Sequence, residues 1–100
     1  MEFASPAERT AARKLVSAAL QSGYKISVND GEEWVVRNST NSIEVLESLC
    51  STGSDTLRMS LPNGTFVATF WLVWGNGGEE LVADFSDNAT AATLMGWAFK

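Results

Sequence analysis

The sequence predicts a single α+β domain over residues 1–100, with a mainly antiparallel five-stranded sheet and helices packed on at least one of its faces. Three segments carry apolar residues at helical spacing, and five others alternate apolar and polar residues or are continuously apolar. Clusters of Gly, Asn, Asp and Pro separate these segments as turns. The expected element order is α-β-β-α-β-β-β-α. One hundred residues with 45% hydrophobic content are enough for one core and too few for two.

The first helix is predicted over residues 6–22. Ser5, followed by Pro6 and then by Glu8 three residues after the serine, is the pattern of a capping box, in which two side chains satisfy unpaired backbone amides. Gly23 is expected to end the helix, because glycine tolerates the left-handed conformation of a C-terminal cap. The apolar stripe by which this helix would dock consists of Ala12, Leu15, Val16, Ala19 and Leu20.

A β-hairpin follows the first helix. Residues 24–28 alternate apolar and polar side chains, residues 29–31 read Asn-Asp-Gly, and residues 33–37 return as a second strand. The dipeptide Asp-Gly between two such segments is a strong hairpin signal, so the two strands are expected to pair directly with each other.

Two further helices are predicted, one over about residues 41–51 and one ending near residue 98. The candidate capping residues are Ser39 or Asn41 for the second helix and Ser86, Asp87 or Asn88 for the last one. Gly53 is expected to end the second helix. The residues expected on its buried face are Ile43, Leu46, Leu49 and Cys50.

A three-stranded antiparallel meander is predicted between these two helices. Its strands are residues 56–61, 65–74 and 80–85, and they are joined by turns at residues 62–64 and 75–78. The middle strand differs from the others because it is apolar on both faces. One face would carry Phe66, Ala68, Phe70, Leu72 and Trp74, and the other Val67, Thr69, Trp71 and Val73.

The second of these faces is the first candidate binding surface. If all helices pack on the core face of the sheet, then Val67, Thr69, Trp71 and Val73 stay exposed as an apolar stripe for a partner or a second copy. The alternative is that one helix crosses over and covers them. Arg58 and Asp84 would flank the stripe and interact around the central strand. The other tryptophans, Trp34, Trp74 and Trp97, are expected in the core.

Charge indicates a second candidate surface. The net charge is -5, and residues 26–99 contain two basic against ten acidic residues, which disfavours direct binding of DNA or RNA. If the hairpin turns at the top of the sheet and the second helix carries the chain from bottom to top, the acidic turn residues meet at one end of the sheet. They are Asp30, Glu32, Glu33, Asp55, Glu79 and Glu80. This end is predicted to bind a basic protein surface or, less specifically, a hard cation such as calcium, unless the charges serve only solubility.

The sequence contains no recognisable catalytic apparatus. With no histidine there is no Ser-His or Cys-His pair, and Cys50 is the only cysteine, so neither a disulfide within the chain nor a typical zinc site is expected. Cys50 itself is expected to be a buried, inert thiol. No cofactor motif, secretory signal or membrane span is evident, so a cytoplasmic location is expected. The expected function is therefore non-catalytic protein binding, and the alternatives are a structural homodimer or a small-ligand or cation-binding module.

Overall fold

The computed structural model describes residues 3–99, with the exception of the side chain of Glu79. Three α-helices and five strands follow the predicted order, with one additional short 3₁₀ helix before the last strand. The elements are α1 (Pro6–Gln21), β1 (Lys25–Asn29), β2 (Trp34–Ser39), α2 (Ser42–Ser48), β3 (Ser54–Ser60), β4 (Phe66–Val73), the 3₁₀ helix (Gly78–Glu80), β5 (Val82–Phe85) and α3 (Ala89–Ala98).

The five strands form one antiparallel sheet in the order β2-β1-β3-β4-β5. The β1–β2 hairpin and the β3–β4–β5 meander are both as predicted. The two units are joined by pairing of β1 with β3, in which Ser27 lies opposite Arg58 and Val28 opposite Leu57. Strand β3 is therefore the middle strand of the sheet, and residues from the hairpin and the meander lie side by side on both faces.

All three helices pack on one face of the sheet. Helix α1 contacts α2, α3 and β1, while α2 contacts β1 and β2, and α3 contacts β4. The sheet residues beneath them are fully buried and alternate along the strands. They include Ile26, Val28, Leu57, Met59, Ala68, Phe70 and Leu72. Within residues 3–99, no helix combines the length and the apolar character needed to cross a membrane.

The local signals at the start of each helix and at the end of α1 are confirmed. The Ser5 hydroxyl accepts a hydrogen bond from the Glu8 amide, and the Glu8 carboxylate accepts one from the Ser5 amide, at 3.1 and 3.0 Å. Gly23 adopts a positive φ of 86° just after α1. Of the alternative caps, Asn41 caps α2 and Asn88 caps α3, each through its side-chain oxygen. Short-range side-chain chemistry therefore determines where the helices begin.

The buried face of α2 differs from the prediction. The helix ends at Ser48, because Leu49 is extended with ψ 154° and Cys50 takes a left-handed φ of 62°. Leu49 and Cys50 are buried, but from the loop after the helix rather than from its face. The helical residue that is buried is Val45, whereas Ile43 is 65% exposed. Leu46 is half-buried and packs against the core as predicted, so the predicted face is wrong at Ile43. The predicted end at Gly53 is also wrong, because α2 is one turn shorter than expected and ends before that glycine.

A β-bulge in β4 moves Phe66 to the face opposite the helices. Ala68 pairs with Met59, but the next pair is Phe66 with Ser60, so Val67 is an extra residue in β4. Because one extra residue reverses the alternation, the Phe66 ring lies on the same side as Arg58 instead of beside Ala68. The predicted grouping of Phe66 with the core residues is therefore wrong.

A second irregularity, in β5, moves Val82 toward the core. Trp71 pairs with Asp84, and the next pair is Leu72 with Val82, so Ala83 is the extra residue. Val82 packs against the core cluster, although it is two residues from Asp84, which lies on the opposite face beside Trp71. The bulge again shows that strict period-two counting fails where a strand bends.

The tryptophans are less buried than expected. Trp34 and Trp74 are half-buried, and Trp97 is 56% exposed on α3. The core expectation is therefore wrong for Trp34, which lines a pocket on the face of the sheet opposite the helices, and for Trp97. Its helix buries Ala91, Leu94 and Ala98 instead, which lie on the side facing α1 and β4.

Candidate functional site

The face of the sheet opposite the helices contains an exposed tryptophan at its centre. Trp71 is 47% exposed, and its cross-strand neighbours are Thr56 on β3 and Asp84 on β5. On the same strand, Thr69 and Val73 are half-buried. We call the surface formed by Thr56, Thr69, Trp71, Val73 and Asp84 the open face. The sequence left open whether a helix covers this stripe. Within residues 3–99, no helix covers Trp71.

Val67 contributes less to this surface than predicted. It is half-buried and packs against the hydrophobic core, because it is the extra residue of the β4 bulge. The remaining three predicted residues of the stripe, Thr69, Trp71 and Val73, lie along β4 on the open face.

Arg58 and Asp84 do not contact each other in the way predicted. The Arg58 guanidinium lies over the Phe66 ring, 5.5 Å from its centroid, and Asp84 accepts a hydrogen bond from the Phe85 amide. Arg58 lies opposite Thr69, two residues along the sheet from the row that contains Trp71 and Asp84. The two charges therefore flank β4 at different levels.

Arg58 instead lines a concavity beside the open face, which we call the arginine pocket. It has a volume of about 210 Å³ and lies over β1, β2 and β3. Its lining residues are Ser27, Trp34, Arg37, Asn38, Arg58, Ser60 and Gly64. The pocket is not predicted from the sequence, although one signal is present: Arg37 and Arg58 are the two basic residues between positions 26 and 99. Their proximity depends on the pairing of β1 with β3, which the sequence left open.

The acidic turns do lie near one end of the sheet. The Thr52 hydroxyl donates to the Asp30 carbonyl at 2.7 Å, and the Trp74 amide donates to the Gly53 carbonyl at 3.1 Å. The loop after α2 thus joins the hairpin turn to the segment that follows β4. The exposed carboxylates at this end are Glu32, Glu33 and Glu80. Glu79 lies in the 3₁₀ helix, and its side chain is outside the described part of the structure.

Asp30 uses its carboxylate within its own turn. One oxygen accepts hydrogen bonds from the Glu33 and Glu32 amides, both at 2.9 Å, and these two bonds lower the pKa of Asp30. Across residues 3–99, with Glu79 left aside, no three Cys, Asp or Glu side chains are grouped as a metal site requires. The acidic end therefore offers a charged surface and no cation cage in the part of the chain described.

Asp55, predicted to belong to the acidic end, is instead 1% exposed and faces the core. One carboxylate oxygen accepts from the Trp74 indole at 2.7 Å and from the Cys50 amide at 2.8 Å, whereas the other oxygen has no hydrogen-bond partner within the described part of the chain. Burial raises the pKa of Asp55, and the two hydrogen bonds offset part of that rise. A buried carboxylate is not available to a partner, so Asp55 has a structural role at the end of β3.

Cys50 lies beside this carboxylate. Burial raises the pKa of the Cys50 thiol, and the negative charges of Glu8 and Asp55 add to the effect. A thiol with a raised pKa is a poor nucleophile at neutral pH.

A second buried carboxylate fixes the acidic end to α1. Besides closing the capping box with Ser5, Glu8 accepts a hydrogen bond from the Gly75 amide at 2.6 Å through its second oxygen. Burial raises the pKa of Glu8, but the bonds from Ser5, Gly75 and Asn76 together bring it below its ordinary value. Sequence reasoning identified Glu8 as a cap and missed its contact with a turn 67 residues away.

Comparisons of the chain with protein-family models, with curated proteins and with solved structures found no match.

Proposed function

We propose that this protein is non-catalytic and acts by binding another protein through the open face of its sheet. The observation that carries the proposal is the exposure of Trp71, 47%, at the centre of a sheet face that no helix covers within residues 3–99. Tryptophan is among the residues most enriched at the energetic centres of protein interfaces. A half-exposed tryptophan on a rigid strand is also held in place before binding, so little side-chain entropy is lost when a partner arrives.

The surroundings of Trp71 have the composition of an interface centre with a polar rim. Thr56 and Asp84 lie on either side of it across the sheet, and Thr69 and Val73 lie above and below it on β4. Complete burial of the exposed half of a tryptophan removes roughly 100 Å² of surface from water. At about 25 cal/mol per Å², that burial is worth about 2.5 kcal/mol, or about sixtyfold in affinity.

The acidic end supports a preference for a basic partner. Glu32, Glu33 and Glu80 are exposed, and the whole chain carries a net charge of -5. Complementary charge accelerates encounter with a positively charged surface, and it does so less at high salt. We therefore propose an accessory or inhibitory role in the cytoplasm, directed at a basic protein surface.

The test compares two tryptophan variants as baits for partner capture. Trp71→Ser removes the open-face tryptophan, and Trp97→Ser removes a tryptophan of similar exposure, 56%, from α3 on the helical side. Circular dichroism checks that both variants fold. The proposal expects the wild type and Trp97→Ser to retain the same partner, and Trp71→Ser to lose it, with weaker retention at high salt. Equal retention by both variants would contradict the use of the open face.

A homodimer is the second candidate, and the placement of two charges favours it. Arg58 and Asp84 lie on opposite sides of β4 on the same face. In a two-fold pairing of open faces, the arginine of one copy approaches the aspartate of the other. Light scattering distinguishes this candidate: the wild type and Trp97→Ser would be dimers at low micromolar concentration, and Trp71→Ser would be a monomer. Monomers in all three cases exclude it.

A further inference from the structure

We propose that the arginine pocket is a binding site for a phosphate monoester, held between Arg37 and Arg58. This site is distinct from the partner surface at Trp71. Its lining, given above, contains two guanidinium groups and two serine hydroxyls, and no carboxylate is among the described lining residues. The whole chain has a net charge of -5, so a concavity with a local positive charge differs in sign from the rest of the molecule.

The sheet brings the two arginines together from strands that are not neighbours. Strand β1 lies between β2, which carries Arg37, and β3, which carries Arg58. Since neighbouring strands are about 4.8 Å apart, the two backbones are separated by roughly 10 Å. Ser27 occupies the position between them: it is the cross-strand partner of Arg58, and its hydroxyl oxygen accepts from the Asn38 amide at 2.9 Å. Two arginine side chains of this length reach a common anion above Ser27.

Several contacts hold the donors of the pocket in place. The Phe66 ring lies 5.5 Å from the Arg58 guanidinium and supports it from one side. Asn38 has a φ of 51°, in the left-handed region, and this bulge directs its amide at Ser27. Ser27 and Ser60 are only 8% and 4% exposed although both line the pocket. The bond from Asn38 uses a lone pair of the Ser27 oxygen and not its proton, so this hydroxyl can still donate to a ligand.

The charges of the pocket favour a phosphate monoester over a carboxylate. A phosphate monoester carries a charge of about −1.5 to −2 at pH 7 and has three acceptor oxygens, so it neutralises both guanidinium groups. A carboxylate has one charge and two oxygens, which leaves one arginine uncompensated. The volume of about 210 Å³ admits the phosphate and a small substituent, for which the Trp34 side chain supplies an apolar wall. A phosphorylated metabolite and a phosphorylated side chain both present this group.

The experiment is a titration followed by ¹⁵N-resolved NMR, with phenyl phosphate as the probe and benzoate as the carboxylate of similar shape. The proposal expects phenyl phosphate to shift the amide signals of Ser27, Asn38 and Gly64. Because each guanidinium supplies charge-assisted hydrogen bonds to the phosphate, Arg37→Gln and Arg58→Gln should each weaken binding by roughly tenfold or more. Arg13→Gln is the matched control: it changes net charge equally, but on the exposed side of α1.

Two further readouts separate a phosphate site from a general attraction to positive charge. Affinity for phenyl phosphate should rise between pH 5 and pH 7, because the second ionisation of a phosphate monoester lies near pH 6, whereas benzoate affinity should stay flat. Arg58→Lys keeps the charge but loses the forked geometry, so it should bind more weakly than wild type. Trp71→Ser should bind phenyl phosphate as the wild type does, which keeps this test independent of the proposed partner surface.

The proposal is overturned if Arg13→Gln weakens binding as much as Arg58→Gln, if the shifted signals lie outside the pocket, if benzoate binds as tightly as phenyl phosphate, or if no signal shifts. Circular dichroism of each variant ensures that lost binding is not lost folding. A short phosphoserine peptide forms the last arm: tighter binding than phenyl phosphate supports a phosphorylated side chain as the source of the group, and weaker binding supports a phosphorylated small molecule.

Discussion

Replacement of the buried Glu8 by alanine should destabilise the protein more than removal of any single exposed or half-exposed charge. The carboxylate accepts from the Ser5 amide at 3.0 Å and from the Gly75 amide at 2.6 Å, and it is buried between α1 and the turn after β4. Loss of an N-terminal cap interaction costs about 1 kcal/mol. Loss of a hydrogen bond to a charged group costs about 1.5–3 kcal/mol. Because Gly75 is exposed, water replaces part of that bond, so we expect a total of about 2–3 kcal/mol.

The measurement is urea unfolding at pH 7, followed by tryptophan fluorescence and circular dichroism. For a chain of this size, about 2–3 kcal/mol corresponds to a fall in melting temperature of roughly 10–20 °C. Glu44→Ala is the matched control, because Glu44 also lies in the first turn of a helix but is exposed. Ser5→Ala removes only the hydroxyl of the capping box and should cost about 1 kcal/mol. If Glu8→Ala costs no more than Glu44→Ala, the Gly75 contact does not stabilise the fold and the reasoning is refuted.

The Glu8 carboxylate also makes the stability of the folded protein depend on pH, and the direction of this dependence can be predicted. The pKa of Glu8 in the folded protein is below its ordinary value of 4.5. The unfolded chain therefore binds a proton more readily than the folded one, so the contribution of Glu8 is complete above pH 4.5 and is lost as the pH falls through the folded pKa. Glu8→Gln removes this contribution, so the difference in stability between wild type and variant should shrink on acidification. A difference that is constant from pH 7 to pH 3 would contradict this.

Two further predictions concern the buried Asp55 and the glycines Gly78 and Gly96. Burial raises the pKa of Asp55, so this carboxyl group binds a proton more readily in the folded protein than in the unfolded chain. The stability of the folded protein should therefore fall as the pH rises above 3.8 and Asp55 ionises. Unfolding free energies of Asp55→Asn and wild type should therefore diverge in favour of the variant from acidic to neutral pH, and the opposite trend would exclude a raised pKa. A Cβ at Gly78 would lie 2.7 Å from the Ala7 carbonyl oxygen, so Gly78→Ala should lower the melting temperature, whereas Gly96→Ala, in an open site on α3, should raise it slightly. Equal effects at the two glycines would show that α1 and the 3₁₀ helix are not tightly packed.

The sequence alone was sufficient for features that depend on residues close together in the chain. The capping box at Ser5, the end of α1 at Gly23, the hairpin and the meander are all as predicted. Each depends on hydrogen bonds or backbone preferences over a few residues, and such preferences act before any tertiary contact forms. The one-sided packing of helices was left open, but the surplus of apolar residues in β4 already indicated that Trp71 needed a second cover or would remain exposed.

Only the tertiary structure decided the contacts between residues distant in sequence, and with them the character of each surface. The pairing of β1 with β3 brings Arg37 and Arg58 to one pocket, and the position of Asp55 on the core face removes it from the acidic end. Bulges in β4 and β5 reverse the side-chain alternation of these strands. As a result of the β4 bulge, Phe66 lies outside the core and packs against Arg58. A bulge adds one residue to a strand because of local twist and packing, and an alternating pattern of apolar and polar residues does not show where this happens. Strand order depends on contacts across the whole core, which are formed by residues far apart in the sequence.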